Sequence, residues 1–212
     1  MTNKNRNLWF NWHSMSKWDD KYSGDGYLFG TRPNRFLVES VAGVTPCPAL
    51  SLGEGEGRNA VYLASLGFDV TALDQSEIGL RKARQLARNF NVPLTTVQAD
   101  LNEYIIAPST WDLIMCFFVH LPSAERAPLH RKVVQGLRPG GIYILEGLSP
   151  DQFKLAQRGP KDPDQCYDLS VVRSELIGLD FRIAHQIVRL LDDAEAEQGN
   201  IAVTQVLAVK PF

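Results

Sequence analysis

Cysteine is scarce in this chain of 212 residues, which contains only three, far apart and without a C-x-x-C pair. So sparse and odd a set excludes a disulfide framework and predicts a reducing compartment, which we take to be the cytoplasm. The four histidines include no pair at zinc-ligand spacing. We therefore expect no metal ion.

Long apolar runs and an excess of one charge are also missing. No stretch approaches the ~18 apolar residues of a membrane span, and the N-terminus lacks the features of a secretion signal, so we expect no membrane partner. Lys and Arg total 22 against 24 Asp and Glu, which argues against a nucleic-acid partner bound through a broad basic face. The length and the 44% hydrophobic content fit one α/β domain over residues 1–212, which we expect to be a monomer or a weak homodimer.

Strand-like and helix-like segments alternate along most of the chain, beginning with the apolar run Ala49–Leu52. Amphipathic segments follow such runs, for example from Glu77 to about Asn89 with Ser76 as N-cap. The other predicted strands are 69–74, 94–99, 111–118 and 142–146, with 138–141 as a turn and helices at 34–41, 123–137 and 171–177. This alternation predicts a parallel sheet covered on both faces. Two late strand-like runs, 181–191 and 200–209, lack a helix between them and should pair antiparallel. The predicted fold is therefore α/β, Rossmann-like and doubly wound, with a mostly parallel seven-stranded sheet and a C-terminal antiparallel hairpin.

The segment LSLGEGEGRN, residues 50–59, places alternating glycines between a predicted strand and a predicted helix. Glycine lets the backbone turn sharply and lets a ligand approach main-chain N–H groups without meeting a Cβ atom. Asp74 ends the next predicted strand, about 20 residues further on, where folds of this type place an acid against a ribose. The combination predicts a site for a nucleoside-containing cofactor.

The spacing of these glycines separates two classes of cofactor. A dinucleotide fingerprint is G-x-G-x-x-G, but here Arg58 stands at the third position and the glycine comes one residue early, at Gly57. Glu54 and Glu56 would repel a pyrophosphate by ~1–4 kcal/mol at close range. S-adenosylmethionine has no phosphate and carries a sulfonium and an ammonium, so an acidic loop suits it. The loop favours a methyl donor, and a nicotinamide oxidoreductase stays as an alternative.

Several segments, in this order, resemble the class I S-adenosylmethionine-dependent methyltransferases, most of all the small bacterial group related to the tellurite-resistance and thiopurine methyltransferases. They are WDDKYSGDGYLFGTRPNRFL at 18–37, the glycine loop, DVTALDQS at 69–76, the Asp100-Leu101 corner, LRPGGIYILEG at 137–147 and GPKDPD from 159. The resemblance implies S-adenosyl-L-methionine as the cofactor and methyl transfer as the activity. It also implies that residues 1–45 form an N-terminal helical lid.

The resemblance further implies which residues contact the cofactor. The glycines would pass the methionine part, Asp74 would bind both ribose hydroxyls, and Asp100 would reach the adenine amino group with Leu101 beside the ring. The full set of expected contacts is Gly53, Glu54, Gly55, Gly57, Asp74, Gln75, Ser76, Asp100, Leu101, Phe117, Phe29 and Asn34. Asp100 could instead form a turn with Asn102. The family often has an acid where this chain has Ser51, which predicts reduced donor affinity.

His120 follows the fourth predicted strand, at the edge of the sheet where open α/β folds bind ligands. Methyl transfer mainly requires that nucleophile, methyl carbon and sulfur be held in line, with a general base only for a protonated acceptor. Histidine suits that role near neutral pH, so His120 is the candidate catalytic residue. The alternative is a histidine satisfied by the backbone at a loop start. His130 and His185 are expected to be structural.

Aromatic residues are concentrated near the N-terminus and form the candidate lid. They are Trp9, Phe10, Trp12, Trp18, Tyr22, Tyr27 and Phe29. Their faces would attract the positive sulfonium. Trp18 and Tyr22 share one helix face, which favours ordinary core packing for this pair.

The acceptor is narrowed by motifs that the chain lacks. It has no [DNS]-P-P-[YFW] turn of nucleic-acid amino methylation, no paired-glutamate loop of protein arginine methyltransferases and no metal triad of catechol-type enzymes. A small-molecule methyl acceptor remains, which is a thiol, a metalloid oxyanion or an amine. A binding module without catalysis, acting as a sensor or partner subunit, is the alternative that Ser51 motivates.

Overall fold

The computed structural model describes residues 17–155, 159–191 and 199–212. Its strands are β1 (Pro48–Leu52), β2 (Asp69–Asp74), β3 (Thr95–Gln98), β4 (Trp111–Phe117), β5 (Leu137–Leu148), β6 (Asp180–Leu191) and β7 (Gly199–Val209). They form one seven-stranded sheet in the order β3-β2-β1-β4-β5-β7-β6. Strands β1 to β5 run parallel, whereas β7 pairs antiparallel with both β5 and β6. The predicted fold class is confirmed, including its C-terminal hairpin.

Helices cover both faces of this sheet. They are α1 (Lys17–Tyr22), α2 (Arg35–Ser40), α3 (Arg58–Ser65), α4 (Glu77–Asn89), α5 (Ser123–Gly136) and α6 (Leu169–Glu175), with 3-10 turns at Pro150–Leu155 and Pro163–Gln165. One apolar cluster packs α5 and α6 against one face, and another packs α2 and α3 against the other. Leu50 and Ala49 belong to different clusters, because successive side chains of a strand point to opposite faces. Among the described residues, no helix has the length and hydropathy of a membrane span.

The strand order reverses at the centre of the sheet, where β1 and β4 are neighbours although β2 and β3 lie between them in the chain. In open α/β sheets, the crevice at the carboxyl ends of such strands is the usual ligand site. The loops that follow β1, β2 and β4 all leave the sheet at this edge. The fold therefore brings together the segments that carry the candidate site residues.

The start of β5 differs from the predicted boundary. The strand begins at Leu137 and not at Ile142, because the segment predicted as a turn pairs as a strand. Leu137 lies opposite Trp111, and the N–H of Gly140 donates to the carbonyl oxygen of Lys210 at 2.8 Å. Pairing with the end of β7 thus extends β5 through a Pro-Gly-Gly sequence that resembles a turn.

Helix starts are set by side-chain caps. Ser76 caps α4 as predicted, since its Oγ accepts from the N–H of Gly79 at 3.0 Å. Helix α6 begins at Leu169, two residues before the predicted start at Val171. The reason is Asp168, whose carboxylate accepts from two N–H groups of the first turn.

Candidate cofactor-binding and active site

The loop after β1 turns at three glycines with positive φ angles, 64° at Gly53, 65° at Gly55 and 97° at Gly57. All three also have a close neighbour where a Cβ would stand, and at Gly53 and Gly55 this neighbour is a side chain. A Cβ at Gly53 would lie 2.5 Å from Cγ2 of Val119, and one at Gly55 would lie 2.5 Å from the hydroxyl oxygen of Tyr22. Backbone conformation and lack of space therefore both require glycine there.

Asp74 ends β2 and is buried beside this loop. Its Oδ2 accepts from the N–H of Gly55 and its Oδ1 from the N–H of Ser76, both at 2.8 Å. Burial raises the pKa of Asp74, and hydrogen bonds from Ser76 and Gly55 oppose that shift without cancelling it. A carboxylate offers about four acceptor positions. The backbone thus orients this carboxylate while hydrogen-bonding capacity remains for a ligand.

Glu54 turns its side chain back into the protein. Its Oε1 accepts from the N–H groups of Asn59 and Ala60, at 3.0 and 2.9 Å, and its Oε2 contacts the hydroxyl of Ser51. Its own N–H donates to the carbonyl oxygen of Leu73 at 3.0 Å. The carboxylate therefore caps α3, whose first N–H groups have no partner within the helix. The carboxylate oxygens of Glu54 are engaged inside the loop, and a cofactor contact at Glu54 stays a prediction.

Glu56 forms an ion pair with a lysine of α4. Its Oε1 lies 2.8 Å from Nζ of Lys82, and its Oε2 accepts from the N–H of Leu28 at 2.6 Å. Lys82 also donates to the carbonyl oxygens of Gly24 and Gly26, at 2.8 and 2.6 Å. Glu56 and Lys82 together hold residues 24–28 against α4. The charge of Glu56 is paired, so the electrostatic preference for a cationic donor does not rest on this residue.

Gly57 and Ser76 have packing roles. A Cβ at Gly57 would lie 2.7 Å from Cα of Ala83, so the missing side chain lets α3 and α4 touch. Ser76 is fully buried, and its hydroxyl donates to Oδ1 of Asp19 at 2.5 Å while it accepts from the N–H of Gly79. The predicted cofactor contacts at these two positions stay predictions. Gly57 brings two helices together, and Ser76 caps α4 and anchors α1.

Tyr22 lies at the glycine loop, although its spacing from Trp18 predicts ordinary core packing. Its ring stacks on Trp18 with the centroids 5.5 Å apart, and a Cβ at Gly79 would lie 3.0 Å from its Cδ2. Burial raises the pKa of Tyr22 far above its ordinary value, and the nearby charge of Asp74 adds to the shift. The burial of Tyr22 and its stacking on Trp18 agree with the predicted packing, whereas its contact with the glycine loop was not predicted. The available signal was Gly79, since glycine in a helix costs about 1 kcal/mol relative to alanine.

The chain leaves β4 through a strained turn. Phe118 has a φ of 54°, a left-handed conformation that costs a residue with a Cβ ~1–2 kcal/mol. Its N–H donates to the carbonyl oxygen of Glu146 at 2.8 Å, and the next residue, Val119, places its side chain against Gly53. His120 follows directly. Because strained backbone concentrates at functional sites, this turn supports a role for residues 118–120.

His120 is largely buried and lies within electrostatic range of α1. Burial lowers its pKa, hydrogen bonding to the backbone of Gln165 opposes the shift, and the positive charges of Lys21 and Lys17 lower the pKa further. The imidazole is therefore neutral at pH 7. A backbone contact is present, as the alternative interpretation expects, but Nδ1 is buried without a hydrogen-bond partner in the described part of the chain.

The side chain of Asn34 forms hydrogen bonds within the fold and does not line an open pocket. Its Oδ1 caps α2 by accepting from two N–H groups of the first turn, and its Nδ2 donates to Oε1 of Glu146 at 2.9 Å. Glu146 is fully buried and also bound by Arg189, at 2.6 Å, and by the side-chain amide of Gln205. The side chain of Asn34 thus joins α2 to the end of β5, and its cofactor contact stays a prediction.

The predicted adenine contacts follow β3 and end β4. Asp100 is exposed, and its Oδ1 accepts from the N–H of Asn102 at 2.8 Å, which is the turn that was the alternative. Leu101 and Phe117 pack into the two apolar clusters on opposite faces of the sheet. Contact of these residues with adenine stays a prediction.

Two further expected contacts lie in exposed segments, since Gln75 is exposed and Phe29 is half-buried. Tyr27 packs against α4, with its hydroxyl donating to the carbonyl oxygen of Lys82 at 3.3 Å. Trp9, Phe10 and Trp12 lie outside the described residues. The lid over residues 1–45 stays a prediction, and its described part includes α1 bound to the start of α4.

The remaining histidines have structural partners. Nδ1 of His130 lies 2.7 Å from Oε2 of Glu175, and Nε2 of His185 lies 2.8 Å from Oε1 of Gln205. In the described ranges, no group of three or more His, Cys, Asp or Glu residues is arranged to hold a metal ion. The three cysteines are free.

Residues 49–141 match the family model of methyltransferase domains. This range runs from β1 into β5 and contains the glycine loop, Asp74 and the turn at 118–120. The match covers less than half of the 212 residues, and it makes this stretch similar to methyltransferase domains, with S-adenosylmethionine as the cofactor that the similarity implies.

TehB is among the relatives of this chain. A probable S-adenosyl-L-methionine-dependent methyltransferase TehB from Haemophilus influenzae (strain 10810) is 32% identical over 118 residues, covering 54% of this chain and 41% of that protein. The match thus spans less than half of the relative's length. The crystal structure of TehB from Haemophilus influenzae shares the fold, with a TM-score of 0.70 and 19% identity over 92% of this chain and 66% of that chain. Magnesium protoporphyrin IX methyltransferase (ChlM) from Synechocystis PCC 6803 with bound SAH also shares it, with a TM-score of 0.64 and 18% identity over 91% and 93% of the two chains.

Proposed function

We propose that this chain binds S-adenosylmethionine at the carboxyl ends of β1 and β2 and transfers its methyl group to a small-molecule acceptor. The observation that carries the proposal is the carboxylate of Asp74, held by the N–H groups of Gly55 and Ser76 with acceptor positions left over. A ribose presents two adjacent hydroxyls to such a carboxylate. The methionine part would then pass Gly53 and Gly55.

The chemistry asked of the protein is mainly orientation. S-adenosylmethionine, when bound, supplies a methyl group on a sulfonium that is already a good leaving group. The chain's own residues therefore need to bind, align and exclude water. The rigid glycine loop and the contact of Val119 with Gly53 support this role, because they join the donor side to the segment that carries His120.

We assign His120 the role of general base for an acceptor that carries a proton, such as a thiol or an amine. Its lowered pKa, caused mainly by burial, keeps the ring neutral at pH 7, and its buried Nδ1 has no partner in the described structure. A metalloid oxyanion would need no base. Dependence of turnover on His120 therefore separates these acceptor classes.

We further propose that the chain works as one cytoplasmic domain, monomeric or weakly dimeric, with residues 1–45 as its lid. Free cysteines support a reducing compartment. The ion pair of Lys82 with Glu56 and the bond from Ser76 to Asp19 support a lid fixed to the glycine loop and to α4.

Calorimetric titration with S-adenosylhomocysteine tests the donor site. The wild-type chain is expected to bind with a micromolar Kd, and Asp74→Ala to weaken binding by more than about 100-fold. The reason is the loss of two hydrogen bonds to a charged acceptor, each contributing about 1.5–3 kcal/mol. Asp69→Ala is the matched control, because Asp69 begins the same strand and is exposed.

Three results of this titration would contradict the proposal or part of it. No binding by the wild-type chain would remove the methyl-donor assignment, and NADH would then be titrated. Equal affinity in the Asp74 and Asp69 variants would remove Asp74 from the site. Thermal unfolding of each variant separates a lost contact from a lost fold.

Turnover tests the catalytic assignment, using labelled S-adenosylmethionine with a panel of thiols, amines and metalloid oxyanions. With a thiol or amine, His120→Gln is expected to lower kcat about 100-fold and to leave S-adenosylhomocysteine affinity unchanged. Wild-type kcat should fall only when the pH drops below the ordinary histidine value of about 6.5, since burial lowers the pKa of His120.

The control for this experiment is His185→Gln, on the edge strand β6. Equal kcat in both histidine variants would contradict the base assignment. Firm donor binding without turnover on any acceptor would instead favour the sensor or partner subunit, which the serine at position 51 motivates.

A further inference from the structure

Tyr167 links the loop before α6 to the segment that carries His120. Its hydroxyl donates to the carbonyl oxygen of Val119, one residue before His120 and 48 residues away along the chain. Tyr167 is 1% exposed. The proposed function does not yet use this side chain.

The position of Tyr167 is set from several sides. Its ring fills the space over Gly147, where a Cβ would lie 2.3 Å from two ring carbons. Its N–H donates to the carbonyl oxygen of Leu148 at 2.8 Å, and its carbonyl oxygen accepts from the hydroxyl of Thr204. The guanidinium of Arg126 stands 5.3 Å from the ring centroid. Strands β5 and β7 and helix α5 together therefore fix where the Tyr167 hydroxyl lies.

The segment that Tyr167 contacts needs such a restraint. Phe118 is strained by its φ of 54°, at a cost of ~1–2 kcal/mol. One hydrogen bond fixes the entry to this turn, from the N–H of Phe118 to the carbonyl oxygen of Glu146 at 2.8 Å. The bond from Tyr167 to Val119 fixes the exit, on the side of His120. Loss of the second bond would let the strained residue relax and the exit move.

We propose that Tyr167 is a positioning residue whose hydroxyl, acting through Val119, sets the direction in which His120 faces the site. The role in catalysis rests on the proposed function, because it requires His120 to act in methyl transfer. The role of Tyr167 in positioning His120 does not rest on the proposed function, since it concerns only where the imidazole lies.

A pair of hydroxyl deletions isolates this role. Tyr167→Phe removes the bond to Val119. Tyr143→Phe is the matched control, because Tyr143 is fully buried in the same apolar cluster and its hydroxyl, like that of Tyr167, lies beside Cys116. Side-chain NMR follows the pH titration of each histidine, with the His120 signal assigned by its absence in His120→Gln.

The expected result is a change confined to His120. In the wild-type chain, burial and the charges of Lys21 and Lys17 hold the pKa of His120 below its ordinary value. Tyr167→Phe should raise it toward about 6.5, because the released segment lets the ring reach water, and Tyr143→Phe should not. His130 is an internal monitor, with its ring centroid 6.4 Å from that of Tyr167 and 5.9 Å from that of Tyr143.

Two results would overturn the proposal. An unchanged His120 titration in Tyr167→Phe would show that the hydroxyl does not position this ring. Equal shifts of His120 and His130 would assign Tyr167 a general packing role.

Turnover adds a second readout for any acceptor that the wild-type chain methylates. Tyr167→Phe is expected to lower kcat about 10- to 100-fold with little change in the Kd for S-adenosylhomocysteine, as a small misplacement of a reacting group does. Parallel losses of kcat and affinity would contradict a positioning role. If the chain binds no S-adenosylhomocysteine, the proposed function fails while the NMR comparison still stands.

Discussion

Carboxylates at the glycine loop and carboxylates in the C-terminal half of the chain are bound in different ways. Asp74 and Glu54 accept mainly from backbone N–H groups of the loop and of helix starts. Glu146 and Glu175 are bound by arginines, at 2.6 Å from Arg189 and at 3.1 Å from Arg126. All four are largely shielded from water, but their partners differ in charge.

The two kinds of partner have different consequences: backbone N–H groups orient a carboxylate, whereas arginines hold elements of the fold together. Backbone N–H groups orient a carboxylate without neutralising it, so negative charge stays in the loop where a cationic donor is proposed to bind. Arginine neutralises a buried carboxylate and joins distant elements, such as α5 and α6 through Arg126 and Glu175. We therefore expect loss of a loop carboxylate to weaken ligand binding, and loss of an arginine-bound one to weaken the fold.

Glu146→Ala is expected to have the largest effect on stability. Removing the carboxylate leaves Arg189, Asn34 and Gln205 without their shared acceptor, and breaking a buried pair on one side costs about 3–5 kcal/mol. Urea unfolding measures this change in the free energy of unfolding.

The control for Glu146 is Glu39→Gln, which breaks an exposed pair with Arg35 on α2. Such surface pairs contribute about 0.2–1 kcal/mol. If Glu146→Ala lowered the free energy of unfolding only within this range, the comparison would be contradicted. The buried cluster would then stabilise the fold no more than a surface pair does.

Acidification is expected to have a smaller effect on the stability of the fold. Burial lowers the pKa of His130, and contact with Glu175 opposes this without cancelling it. Burial raises the pKa of Glu175, but hydrogen bonds from His130 and Arg126 outweigh it, so the net shift is downward. Both groups bind protons more weakly in the folded chain than in the unfolded one. Stability should therefore fall as the pH drops below about 6.5, first through His130 and then, below about 4.5, through Glu175.

Thermal unfolding between about pH 7.5 and pH 5 measures the first of these steps. His130→Gln should reduce the dependence without abolishing it, because burial also lowers the pKa of His120, which stays in place; His185→Gln is the control. A wild-type melting temperature that rises on acidification would contradict the sign of the shift and the role of this cluster in cohesion.

Local sequence pattern was sufficient for the fold and for part of the site. Apolar runs, the Ser76 cap and the glycine loop are all defined by neighbours within a few residues. The mostly parallel seven-stranded sheet with its C-terminal hairpin and the place of Asp74 at the end of β2 followed from them. Boundaries failed where a distant partner decides, as at Gly140, which pairs with Lys210.

The directions in which these side chains point could not be predicted from the sequence. Glu54 and Glu56 lie two residues apart, yet one caps α3 and the other reaches Lys82 on α4. Tyr22 and Tyr167 reach the site from far along the chain, through spaces left by glycines. Such contacts depend on the packing of several elements at once, and no single segment encodes them.

The contact between Gly57 and Ala83 limits how this sequence can diverge. A Cβ at position 57 would lie 2.7 Å from the backbone Cα of Ala83 as well as from its Cβ, so no substitution at position 83 makes room for it. Chains with this arrangement should therefore keep glycine at position 57 whatever residue stands at position 83. A related chain with a large residue at position 83 and the same glycine loop would need a larger distance between α3 and α4. Its structure would show that larger distance.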